Sequence, residues 1–475
     1  MPLIKLERSH TKPTELDFAT EELLDRAGSL YGNQQASHLR ELIAEKVEHL
    51  RRYDIARIDR VASILCWGRS GSLLLASYFD GHEDVLMLPE MKGAGVYDFF
   101  DRYQSLPLRT KLLAYPALGP YYPQLFEGDF AISSSHYYAA VEAILELYRD
   151  WPAEILESRR TFFVFVHIAY NLALGRSTSA PPLIAYQQHF WNDKIARYLV
   201  EDFPQAKFIH TVRDPLTTYN SLVRVVVEGW PSEPFSVYRH AMFGKLTSTD
   251  RPHPGMESRT RTVRLEDLHS DPVAMMQDLS GWLRLSYEPT LVTSTFNGTP
   301  YINQRNGNAW CGRNEEQTRR KAPDLAPKDQ LALSAVFYEN LVEWNYPHPR
   351  ILESRMLRAI LTVCLLPLPL KTEIYAAGAV WKHRILPSLR DRKFMRVMAC
   401  VAGIALVRLK VMYIIASTVF QRCVHSPSLL PIHTGSLAQK VAAETGERKL
   451  EFVPGIHAAT APAGETARMV SSTER

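Results

Sequence analysis

The chain has 475 residues, 46% hydrophobic and 22% charged, with a formal net charge of +4, a size and composition that support a buried core and exclude a disordered or fibrous chain. The charge is uneven: residues 350–425 carry about ten more positive than negative charges, the last fifty balance, and the first 349 are net negative by about six. Five separated cysteines without zinc-type spacing, and an N-terminus without an apolar signal core, indicate neither a disulfide framework nor a metal site nor secretion; a reducing, cytoplasmic setting is expected, with no nucleic-acid partner.

Residues 14–60 read as a helical arm, because Leu39, Ile43, Val47 and Leu50 recur at helical spacing among charged residues. From residue 61 short apolar runs alternate with helical stretches: Val61–Cys66, Phe162–Val166, Leu183–Tyr186, Lys207–Val212 and Thr260–Leu265. That order predicts an α/β fold of three layers around a central, mostly parallel sheet, with the helical N-terminal arm and a helical basic C-terminal extension. The segment Tyr287–Arg320, rich in Asn, Gly, Thr and Arg, predicts a long loop, and Pro327–Tyr346 a closing helix. The expected divisions are an arm over 1–60, a catalytic domain over 61–349, a basic apolar helical region over 350–425 and a flexible tail over 426–475.

Two segments carry candidate chemistry. The strand Val61–Cys66 runs into Gly68-Arg69-Ser70-Gly71-Ser72 and then into the helix-forming Leu73–Phe79. Such a turn aims backbone N–H groups and a helix dipole at an anion; Arg69 adds a planar fork of donors, and Ser70 and Ser72 add hydroxyls. The plain alternative is an ordinary strand-turn-helix connection. The Gly-x-x-x-x-Gly-Lys-Ser/Thr loop of nucleoside triphosphatases is not matched, because its lysine is missing. The second segment is Lys207–Val212, which delivers Arg213, Asp214 and Pro215 at a strand end, with Ser221 eight residues after Arg213.

Taken together, these motifs resemble the sulfotransferase family, which moves a sulfuryl group from 3′-phosphoadenosine 5′-phosphosulfate (PAPS) to a hydroxyl or amine. The resemblance covers roughly residues 60 to 348 and inclines to the carbohydrate-type, bacterial-like branch. It implies that Gly68, Arg69, Ser70, Gly71 and Ser72 hold the 5′-phosphosulfate, and that Arg213 and Ser221 hold the 3′-phosphate. Arg264-Leu265-Glu266-Asp267-Leu268 with Asp271-Pro272 resembles the family's next strand and helix. Arg305-Asn306-Gly307 with Trp310 resembles its late Arg-Lys-Gly loop; Asn306 replaces the lysine, so only Arg305 and Gly307 are carried over. Leu73 stands where the family often has another Ser or Thr.

Two residues compete as the base that takes the acceptor proton. Glu90, after Gly81-His82-Glu83-Asp84-Val85, matches the acidic residue of the carbohydrate-type branch and would need burial to raise its pKa. His189, after the strand Leu183–Tyr186, has a suitable intrinsic pKa, although Gln187 replaces the lysine expected before it. Arg69 would stabilise the leaving phosphate, and no metal is expected. Residues 356–424 alternate apolar stretches with Arg and Lys, including Val397–Val407 and Val411–Phe420, separated by Arg408 and Lys410. Each is short for a bilayer span; the region reads either as lying on an anionic membrane surface or as packed on the core. The acceptor class expected is carbohydrate-like or lipid-linked. A P-loop kinase or NTPase using Asp214, and a non-catalytic membrane scaffold, are the alternatives.

Overall fold

Five strands run parallel: β1 (Arg60–Cys66), β2 (Val85–Met87), β3 (Leu183–Gln188), β4 (Lys207–Val212) and β5 (Thr260–Arg264), in the spatial order β2-β3-β1-β4-β5. The structure is a computed structural model that describes residues 20–31, 36–51, 55–67, 70–88, 94–117, 132–176, 182–188, 192–221, 255–305, 308–314 and 325–424. The tail expected over 426–475 lies outside the described residues.

Alternation along the strands explains the layers. Val61 and Leu65 of β1, Ile184 and Tyr186 of β3 and Phe208 of β4 enter one apolar cluster, while Ala62, Ile64, Leu183, Ala185 and Ile209 enter another. Both faces are therefore covered, which is why these strands read as continuous apolar runs. Helices Ala94–Arg102, Ser134–Leu147 and Arg159–Ala173 contribute to the first cluster, and Ser72–Phe79 and Pro272–Leu283 to the second. The chain is an α/β protein with a central parallel sheet, as its pattern predicts.

One run expected among the strands is helical. Phe162–Val166 lies inside the helix Arg159–Ala173, whose residues from Thr161 to Ala173 are all buried. A helix buried on every side loses the polar face that reveals its period. Its start is set by Ser158, whose hydroxyl accepts from Thr161 N–H at 3.1 Å. The loop expected over Tyr287–Arg320 contains two antiparallel hairpins, Thr295–Phe296 with Thr299–Pro300 and Ile302–Arg305 with Asn308–Cys311. The closing helix is two helices, Pro327–Val336 and Tyr338–Glu343, separated at Phe337.

The two apolar stretches around Arg408 are one 31-residue helix, Phe394–Val424. Arg408 does not break it because its charge is answered: the guanidinium donates to both Glu373 oxygens at 2.8 Å and to the Leu366 and Leu368 carbonyls. Val407, Val411, Ile415 and Val419 form a buried stripe in a third apolar cluster with Trp67, Val212, Tyr219, Phe337 and Trp344. Trp67, next to the candidate anion loop, meets Trp344 edge to face at 4.8 Å between centroids. The C-terminal helix thus belongs to the same apolar cluster as Trp67 beside the candidate site.

Candidate active site

The carboxyl ends of β1 and β4 lie side by side, with Cys66 opposite Thr211 in the register. The chain leaves β1 toward β2 and β3 on one side and leaves β4 toward β5 on the other, which makes this edge the topological switch where open α/β sheets hold ligands. Both candidate motifs emerge here.

Ser70 ties the two strand ends together. Its hydroxyl, fully buried, donates to the Thr211 carbonyl at 2.7 Å, meets Thr211 Oγ1 at 2.9 Å and accepts from Trp67 N–H at 3.1 Å. Trp67 N–H also reaches the Thr211 carbonyl at 3.0 Å, and Thr211 Oγ1 donates to the Leu65 carbonyl at 2.9 Å. Ser70 Oγ therefore acts within the protein, shaping the loop. Ser70→Ala is expected to leave part of this network unpaired and to cost about 1–3 kcal/mol. Urea denaturation checks this, and an unchanged midpoint would show that the network carries no net stability.

Gly71 precedes the helix Ser72–Phe79 with φ 85° and ψ 21°, a left-handed conformation that favours glycine. A Cβ here would collide with Leu265 Cδ1 and lie 3.2 Å from Leu265 Cγ. The close approach brings the start of this helix against the end of β5. Ser72, the first helical residue, is buried, and its Oγ accepts from Gln187 Nε2 at 2.6 Å. Its hydroxyl hydrogen stays available to an anion at the helix N-terminus. Leu73 packs on the second cluster, so the helix position after Ser72 serves the core.

On β4's side, Arg213 and Ser221 are both 6% exposed. Asp214 caps the following helix: its Oδ1 accepts from Thr217 N–H at 2.6 Å, and its carbonyl accepts from Thr218 N–H at 2.9 Å. Pro215 opens that helix, which carries Ser221 two turns on. The segment after β5 locks onto this corner. Glu266 accepts from Asp214 N–H at 3.3 Å and from the Tyr346 hydroxyl at 2.6 Å; burial raises its pKa, and the bonds from Tyr346 and Asp214 and the charge of Arg213 oppose the rise. Arg264 pairs with both Asp267 oxygens at 2.6 and 2.7 Å. The Arg-Leu-Glu-Asp segment is therefore a brace for Arg213.

The structure adds groups that the motifs did not name. His269 is buried and its pKa is pushed down to about 4, first by burial and then by the charges of Arg213 and Arg313. Arg313 Nε donates to the His269 carbonyl at 2.8 Å, and Asn314 N–H donates to His269 Nδ1 at 3.1 Å, so the strand end after Cys311 is latched to the helix Leu265–Ser270. Burial also raises Tyr78 to about 12, opposed by Arg313. Arg213 and Arg313 thus both lie near His269, in a corner that also holds the carboxylates Asp214 and Glu266. Gly312, at φ 64°, turns the chain after the strand Asn308–Cys311, and no local motif marks Arg313 in the sequence. Arg305 ends the strand Ile302–Arg305 and pairs with Asn308. Gln187, read only as a missing lysine, proves to touch Ser72.

Gly68, Arg69, Glu90, His189 and Gly307 lie outside the described residues. His82, in the turn before Glu90, is buried, bonding the Ser286 carbonyl through Nε2 at 2.9 Å and accepting from Asp84 N–H at 3.0 Å. It holds the turn into β2. Among the described residues no group of three His, Cys, Asp or Glu side chains is placed to hold a metal ion.

Residues 63–289 match the model of the Sulfotransferase family, an interval that contains the candidate anion loop, Arg213, Ser221 and the brace after β5. The solved structures similar to this chain include three sulfotransferases. The sulfotransferase domain from the curacin biosynthetic pathway is 19% identical with a TM-score of 0.30, over 50% of this chain and 78% of that one. The sulfotransferase domain from the Synechococcus PCC 7002 olefin synthase is 19% identical with a TM-score of 0.27, over 50% and 76%. The sulfotransferase STF9 from Mycobacterium avium is 13% identical with a TM-score of 0.32, over 70% and 89%. No curated protein matches the sequence significantly.

Proposed function

We propose that this chain, whose residues 63–289 belong to the sulfotransferase family, transfers a sulfuryl group from PAPS to a hydroxyl or amine of a carbohydrate-like or lipid-linked acceptor. The observation that carries the reading is the buried Arg213 at the end of β4, beside a glycine-turned helix N-terminus at the end of β1. A buried guanidinium suits the dianionic 3′-phosphate, and the loop with Arg69 suits the phosphosulfate.

In this scheme the acceptor oxygen attacks sulfur in line. The new O–S bond forms as the bond from sulfur to the bridging phosphate oxygen breaks, and that oxygen leaves with the electron pair. Loop N–H groups, Ser72 and Arg69 stabilise the charge that develops there, while Ser221 and Arg213 hold the far phosphate and fix the geometry. The acceptor proton passes to a carboxylate or imidazole; Glu90 is the first candidate and His189 the second. Gln187 orients the Ser72 hydroxyl. Asp214 is committed to capping its helix, which weighs against the kinase reading, where it would serve a metal.

The test is a calorimetric titration with 3′-phosphoadenosine 5′-phosphate (PAP), with ADP as control. Micromolar binding of PAP that ADP does not reproduce is expected, followed by sulfate transfer from PAPS in an acceptor screen. Equal binding of the two nucleotides, or Mg²⁺-dependent ATP turnover, would overturn the assignment.

A further inference from the structure

The helix Phe394–Val424 is apolar on two opposite sides. One side, with Val407, Val411, Ile415 and Val419, is buried against the catalytic fold. At about 100° per residue, Met395, Met398, Leu406, Leu409, Tyr413 and Phe420 fall within an arc of about 80° centred opposite that stripe. These six side chains are between 45% and 83% exposed. No charged residue shares their positions. A helix that is apolar all round is normally enclosed, and uncovered apolar faces of this extent mark a contact with another phase or partner. The neighbouring helices extend the face, since Met356, Ile360, Val363 and Ile374 are also exposed.

The charge around the face identifies the occupant. Asp391 is the only acid between Ile374 and Val424. Lys382, Arg384, Arg390, Arg392, Lys393 and Arg396 cluster before and within the first turn of the long helix, all exposed. Arg392, at φ 56°, closes the preceding helix Leu386–Arg390, with Lys393 N–H bonding the Ser388 carbonyl at 2.8 Å, and Lys393 pairs with Asp391 at 2.6 Å. Trp381, Tyr375 and Tyr413, all more than half exposed, are side chains suited to a membrane-water boundary.

By length and composition the helix could cross a membrane. Its packing argues otherwise. Arg422 is buried, donating to the Val336 carbonyl at 3.0 Å and to Asn340 Oδ1 at 2.7 Å, and Arg408 is paired with Glu373. Only residues 394–406 extend beyond the buried stripe; they reach about 20 Å, against a hydrocarbon core of about 30 Å.

We propose that this helix and its neighbours lie in the plane of an anionic phospholipid surface, sinking the Met395–Phe420 stripe among the acyl chains and setting the basic cluster against headgroup phosphates. The inference is independent of the sulfuryl-transfer reading. The same helix packs in one cluster with Trp67, so docking would hold the sheet edge near the lipid surface.

The experiment is flotation of the full chain with phosphatidylcholine vesicles, with and without phosphatidylserine. Binding is expected on the anionic vesicles and about tenfold less on the neutral ones. Leu406→Glu with Leu409→Glu, and separately Arg390→Glu with Arg392→Glu and Arg396→Glu, should each lower binding about tenfold or more with unchanged circular dichroism. Bound protein should be released by alkaline carbonate. For the wild type, brominated lipid should quench the emission that Trp381→Phe removes, which needs no folded charge variant. Absence of flotation, binding indifferent to the stripe variant, carbonate resistance from spanning, or a wild-type dimer that the stripe variant dissociates without any vesicle binding would each overturn the proposal.

Discussion

Arg213→Ala is expected to weaken PAP binding about a hundredfold or more while leaving ADP binding nearly unchanged. Arg213 is 6% exposed, so its bonds to a phosphate would form with little competing water, and charge-assisted bonds in such settings are worth about 2–4 kcal/mol. ADP lacks the 3′-phosphate and serves as the internal control. The variant also removes a positive neighbour of Glu266, so a stability loss of about 1 kcal/mol is expected beside the binding loss. Arg213→Lys should fall between, because it keeps the charge but not the planar fork. Calorimetry with both nucleotides on each variant checks this. Parallel losses for PAP and ADP would mean that Arg213 shapes the fold and does not read the 3′-phosphate.

Gly71→Ala is expected to destabilise the chain by about 2–4 kcal/mol, with two separable causes. The first is the left-handed backbone, φ 85°, which costs a residue with a Cβ about 1 kcal/mol. The second is overlap with Leu265, a buried side chain fixed between the loop helix and the second apolar cluster. Leu265→Ala in the same chain should relieve the clash but not the backbone cost, so the double variant should lose less than the two single losses added. Urea denaturation of the four proteins measures this. A single-variant loss below about 0.5 kcal/mol would show that the loop relaxes freely and that the tight approach to β5 is not required.

Much of the fold was legible because strands buried on both faces and capped helices carry local signals. Lys207–Val212 is a strand with the bounds its residues suggest, and β1, β3 and β5 follow the apolar runs that mark them. Ser158, Asn192 and Asp271 each bond the N–H groups that an N-cap residue should. The same local logic failed at Phe162–Val166, where burial on all sides erased the helical period, and at β2, whose three residues are too few to show alternation. At the site, the order of the two motifs and the spacing of Arg213 and Ser221 were visible, because each follows from one strand running into one turn.

What the sequence by itself determined, then, is whatever depends on neighbours in the chain: the strand-turn-helix at Gly71, the cap at Asp214 and the basic cluster before Phe394. The tertiary structure alone decided the rest. Ser70 bonds Thr211 because parallel pairing sets Cys66 opposite Thr211, a contact across 141 positions of sequence. Arg313 joins Arg213 around His269 only because the hairpin after residue 302 folds back onto the helix following β5. The C-terminal helix shows an uncovered apolar side only once packing has claimed the opposite side, and one-dimensional hydropathy averages the two. Long-range pairing and one-sided burial have no local signature, since each is a property of which surfaces meet.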